Sequence, residues 1–208
     1  MAKQTVRQAA PRRERMRGPE RRAQILAAAR EVFLESGVTG ARTRDIAQRA
    51  GITEAFMFRI FDSKEHIYRE AVEVPVAQAY ERLARDVVAL SRDETLQGVE
   101  LFRRISELIL ELQIETTPLM VLAVFSEIDR GREFLRQLMP PMRTVQRVAS
   151  RAAGWRAPAV SPDVALRTLF AGSLGIVLDH ILQGKRLDPR ETAARVTELY
   201  AQGMPHLR

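Results

Sequence analysis

Apolar residues recur at intervals of three and four along almost the whole chain, and few windows alternate at period two, so the pattern predicts helices throughout. The first predicted helix covers Pro19 to Ser36, with Ile25, Leu26, Ala29, Val32 and Phe33 on one face and Gly37 as its stop. Two short runs follow, Thr43 to Ala50 and Glu54 to Phe61, and then a long helix from Ser63 to Leu90 that Pro75 should kink. Asp62 with Glu65 forms a capping-box pattern at its start, with Ser63 as the alternative cap. Farther on, the spacing predicts helices over Glu94–Glu115, Leu119–Ile128, Arg132–Ala153 (interrupted at Pro140 and Pro141), Pro162–Leu182 and Pro189–Gln202. "TTP" should end the first of these and "DRG" should precede the third. The fold class is all-α.

The two short runs carry most of the information. Each alone is too short to hold a helix in water. Ile46, Ala47 and Ala50 share one face of the first, and Met57 and Phe61 share one face of the second, with Phe56 and Ile60 beside them. Gly51 suits a left-handed cap, and Thr53 can cap the next helix. This is the sequence logic of a helix-turn-helix, in which each short helix buries its stripe against the other and against the helix from Pro19 to Ser36. Glu54, Ala55, Phe58 and Arg59 then remain outside, on the helix that would enter a DNA major groove. Arg42, Thr43 and Arg44 at the start of the first short helix, and Lys64 beyond the second, are placed to meet phosphates.

Charge supports this reading. Residues 1–64 hold 14 Lys/Arg against 7 Asp/Glu, whereas the remaining residues hold 19 of each. All of the net charge of +7 therefore lies in the first third, and nucleic acid is the partner it suggests. Residues 1–18 are expected to form a basic, disordered arm. The chain has no cysteine, which excludes disulfides, thiolate metal sites and thiol nucleophiles. No unbroken run of 18 apolar residues and no signal-like stretch is present, so no membrane partner and a cytoplasmic location are expected. His66, His180 and His206 stand in no metal-binding spacing, and there is no phosphate loop or serine elbow. No enzyme activity, metal or cofactor is expected.

"TRDIAQRAGITEAFMFRIFDSKEHIY" resembles the DNA-binding region of the TetR family of bacterial transcriptional regulators over roughly residues 23–71. The shared features are the Ile-Ala pair before Ala-Gly, the helix start at Thr53, the aromatics Phe58 and Phe61, and Ser63-Lys64-Glu65. Three positions depart from the pattern: Arg42 replaces the usual Ser or Thr cap, Phe58 a frequent Tyr, and Ile60 a common His. The resemblance implies a DNA-binding domain over residues 19–65 and a helical ligand-binding and dimerisation domain over 66–208. It implies a homodimer on a palindromic double-stranded operator, acting as a repressor that a small, largely apolar effector releases. The alternative is a helical interaction module that keeps the scaffold without specific DNA recognition.

The candidate effector contacts are Phe102, Ile105, Ile109, Leu112, Phe125, Leu138, Met142, Trp155 and Phe170, an apolar set. The candidate dimer contacts are Leu166, Phe170, Leu174, Gly175, Leu178, Ile181, Val196, Leu199 and Tyr200, where glycines in an apolar stripe suggest the close approach of a neighbour.

Overall fold

The structure, a computed structural model, describes residues 18–152 and 162–203. Among them every regular element is helical: α1 (Gly18–Gly40), α2 (Thr43–Arg49), α3 (Glu54–Met57), α4 (Lys64–Tyr68), α5 (Val74–Leu90), α6 (Gly98–Phe125), α7 (Ile128–Ala152), α8 (Pro162–Leu182) and α9 (Pro189–Gly203). The first 17 residues of the basic arm and Trp155 lie outside the described residues.

The helix breaks follow from local chemistry, with several departures from the sequence pattern. Gly37 adopts φ 68° and ψ 175°, which interrupts α1 where predicted. The third helix is shorter than expected, because beyond Met57 the chain tightens: the Arg59 and Ile60 N–H groups donate three residues back, to Phe56 and Met57 carbonyls. Asp62 does not cap α4; the Ser63 hydroxyl does, accepting from the His66 N–H at 3.1 Å. The expected long kinked helix is α4 and α5 joined by one π-helical turn, Arg69–Glu73, with Pro75 at the start of α5. Proline has no N–H for the carbonyl four residues back, which is that of Ala71. The Arg30 guanidinium, from α1, donates to that carbonyl at 3.2 Å.

The other departures are helices that run through prolines. α6 continues past "TTP" with Pro118 inside it, and α7 starts at Ile128 and continues past Pro140 and Pro141. Pro118 and Pro140 are exposed, so freed carbonyls on that side can meet water, while Thr116, Leu119, Phe134, Leu138 and Val145 hold the inner faces in the core. At the α6–α7 corner the backbones nearly touch: a Cβ on Gly131 would stand 2.2 Å from the Val124 carbonyl oxygen.

α6 is the central helix, packed by α5, α7, α8 and α9. By length and composition alone α6 and residues Asp163–Leu182 of α8 could cross a membrane, but half of the α6 window is buried inside the fold. The core runs unbroken from Ile25 on α1 to Phe170 on α8. Tyr68 sits where the N-terminal helices meet the rest: its ring meets Phe33 edge-on at 5.2 Å, and its hydroxyl donates to the Leu122 carbonyl at 3.1 Å. Burial pushes its pKa up to about 12. Beside it Arg130 lies 4.6 Å over the ring and pairs with the buried Glu73 at 2.9 Å.

Candidate nucleic-acid interface

The turn between α2 and α3 is set by backbone hydrogen bonds. Gly51, at φ 63°, donates to the Gln48 carbonyl at 3.0 Å, and Ile52 donates to Ala47 at 3.0 Å. This pair of bonds closes a helix end on a left-handed residue. The Thr53 hydroxyl then accepts from the Phe56 N–H at 3.2 Å and starts α3. Ile46, Ala47, Ala50, Met57 and Phe61 are all buried against Ile25, Ala29, Val32 and Phe33 of α1.

With that stripe buried, the opposite face is free. Arg42, Arg44, Thr53, Glu54, Ala55, Phe58 and Arg59 are exposed, and Thr43 and Lys64 are half-buried. Phe58 is 42% exposed, a large apolar group held in water at the end of α3. The Arg59 guanidinium lies 5.3 Å from the Phe56 ring centroid. Arg42 occupies the cap position of α2 with no side-chain hydrogen bond. Thr43 does not replace it as a cap; its hydroxyl donates to the Glu54 carboxylate and ties the start of α2 to the start of α3. Nearby Arg49 is not available for such a role, because Glu35 and Glu31 hold it at 2.8 and 3.7 Å.

Two arginines that periodicity alone does not single out fix this surface to the rest of the chain. Arg22 of α1 makes a two-point bond with Glu70 (3.1 and 2.5 Å), donates to the Ile60 carbonyl at 3.2 Å, and lies 4.3 Å over the Phe61 ring. His66 sits between two carboxylates, with Nε2 2.8 Å from Glu70 and Nδ1 3.1 Å from Asp62. Burial raises the Glu70 pKa, but the hydrogen bonds from Arg22 and His66 outweigh it and hold the carboxyl below its ordinary value. Arg30, described above, is the second. Their partners lie 48 and 41 residues away, so only the fold brings them together.

The other candidate residues are placed unevenly. Phe102, Ile105, Ile109, Leu112, Leu138 and Phe170 are buried core. Phe102 meets Tyr200 at 5.4 Å, and Phe170 stacks on Tyr80 at 6.4 Å. Phe125 is 75% exposed at the end of α6 and faces no interior space. Met142 lines a cleft between α7 and α8. Of the dimer candidates, Leu166 and Phe170 turn into their own core, Leu174, Leu178, Val196 and Tyr200 are half-buried, and Gly175, Ile181 and Leu199 are exposed. Among the described residues no group of three His, Cys, Asp or Glu could hold a metal.

Residues 25–71 match the family model described as bacterial regulatory proteins, tetR family. No curated protein matches the chain. Among solved structures, the chain is similar to the TetR family regulator PfmR from Thermus thermophilus (TM-score 0.68, 19% identity, 86% of this chain and 98% of that one). It is similar to the regulator FadR from Bacillus subtilis in complex with stearoyl-CoA (0.66, 18%, 88% and 98%) and to the ketosteroid regulator KstR2 of Mycobacterium tuberculosis (0.67, 19%, 88% and 94%). At these identities the likeness is one of fold.

Proposed function

We propose that this chain, which belongs to the tetR family of bacterial regulatory proteins, is a DNA-binding repressor that a small, largely apolar effector releases from its operator. The observation that carries the reading is the division of faces on α2 and α3. One stripe is fully committed to the core, and the other presents Glu54, Ala55, Phe58 and Arg59 with basic groups at both ends. Arg42, Arg44 and Lys64 hold phosphates, with Thr43 and Thr53 on the same DNA-facing edge, and Arg59 with Ala55 and Phe58 meets base edges. Residues 19–65 form the DNA-binding unit and 66–208 the effector-binding and dimerisation unit. The setting is the bacterial cytoplasm.

The working form is a two-fold dimer. α8 is apolar on nearly all sides, yet it leaves Val164, Gly175, Ile181 and Leu182 open, with Leu199 of α9 also exposed. A helix apolar all round belongs in an interior, and a second copy supplies it. The effector reading draws support from two relatives in fold, one described as bound to stearoyl-CoA and one as a ketosteroid regulator.

The test is a mobility-shift titration with duplex DNA flanking its own gene, beside an unrelated duplex of equal length. Preferential retardation of the flanking DNA is expected. Equal, weak retardation of both would favour an interaction module that has kept the scaffold alone.

A further inference from the structure

The α7–α8 cleft points to the chemistry of the effector. It has a volume of about 260 Å³ and is lined by Met139, Met142, Arg143, Gln146, Asp163, Leu166 and Arg167. Two flexible thioethers and a leucine give an adaptable apolar wall. The rest of the lining is strongly polar, and its charge is uneven. Asp163 is engaged on both sides, by Arg167 at 2.9 Å and by the Gln146 amide at 2.9 Å. Arg143 forms no ion pair or hydrogen bond with any described residue.

The charge pattern along α7 makes this more than a solvated helix face. In its first half each arginine has a carboxylate: Arg130 has Glu73, Arg132 has Asp129 and Arg136 has Glu133. In its second half the sequence "PPMRTVQRVAS" holds no acid, and Arg143 and Arg147 are left without one among the described residues. Positive charge is thus neutralised along the helix until it reaches the cleft. The wider cleft of about 510 Å³ between α8 and α9 includes Leu199, which belongs to the open face assigned above to the second subunit.

We infer that the α7–α8 cleft binds an amphiphilic anion, its chain against Met139, Met142 and Leu166 and its carboxylate or phosphate head on Arg143, with Arg167 beside it. The inference deepens the effector reading above and narrows "largely apolar" to apolar with one anionic end. A cleft of about 260 Å³ lies at the small end for ligand sites, which suits a medium rather than a long chain.

The experiment measures direct binding to the DNA-free full chain by isothermal calorimetry, with four probes: decanoate, decyl phosphate, decan-1-ol and inorganic phosphate. Decanoate or decyl phosphate should bind at least about tenfold more tightly than decan-1-ol, and inorganic phosphate should bind weakly or not at all. Which anion binds more tightly identifies the head group. Arg143→Ala should reduce that preference about tenfold while leaving decan-1-ol unchanged; Arg143 is exposed and unpaired among the described residues, so folding should not suffer. The preference should also shrink with added salt. Equal binding of alcohol and anions, a preference unaffected by Arg143→Ala, or no binding by any probe overturns the inference. Because no DNA is present, anion binding that fails to release the operator would count against the repressor reading and leave the site standing.

Discussion

At the scale of single residues, the proposed DNA-binding surface separates groups that hold the fold from groups that are open to a partner. Arg59 is braced by the Phe56 ring and has no ion-pair partner among the described residues, and Lys64 opens α4 likewise without one. Arg59→Ala should cost about 1–3 kcal/mol on the preferred operator and relax one base position, as read by binding-site selection. Lys64→Ala should weaken all sequences alike and lower the salt slope by about 1. A uniform loss in Arg59→Ala would reverse these roles. Arg22 belongs to the other group. It holds the Glu70 carboxyl below its ordinary value of 4.5, so the pair contributes stability that is present above pH 4.5 and is lost as the pH falls through the lowered value. In Arg22→Ala the Glu70 pKa should rise and acid unfolding, followed by circular dichroism, should begin at higher pH. An unchanged acid limb would mean that Arg22 does not hold the carboxylate.

At the scale of elements, what was legible in the sequence is what local chemistry decides. The helix-turn-helix could be read because Gly51, Thr53 and the buried stripes all act within a few residues of one another. The length of α6 and α7 could not. Proline at positions 118 and 140 reads as a stop, but core residues on the opposite face of each helix hold it together. The π turn before Pro75 was legible only as a kink, because its stabilising donor, Arg30, arrives from α1. Arg30→Ala leaves the buried Ala71 carbonyl without that donor and should cost about 1–3 kcal/mol in denaturant unfolding. In a Pro75→Ala background a backbone N–H is restored, so the same change should cost less. Strict additivity of the two substitutions would show that they do not serve one carbonyl.

At the scale of the whole molecule, the candidate effector and dimer residues were the hardest to place. An apolar residue on a helix looks the same in sequence whether it faces its own core, a cleft or a second subunit. Leu166 and Gly175 lie nine positions apart on α8, and only the packing shows that one turns inward and the other is open. Gly175 gives a clean test of the outer face. A Cβ there meets nothing within 4 Å in the single chain, so Gly175→Leu should leave subunit folding intact and strengthen the helix slightly. If a partner helix packs at that point, sedimentation should show a shift toward monomer at micromolar concentration. An unchanged association state would place the dimer contact elsewhere.

The bond from Arg30 to the Ala71 carbonyl also bears on how such chains can be recombined. A chimera that joins this DNA-binding unit to another effector unit at residue 65 would keep the guanidinium and discard the proline that leaves its acceptor open. The incoming α4 would then carry a regular helix past a basic side chain with no carbonyl to receive it. A splice placed after Leu90 would carry both halves of the bond together, at the cost of parting α5 from the α6 and α7 faces it packs on.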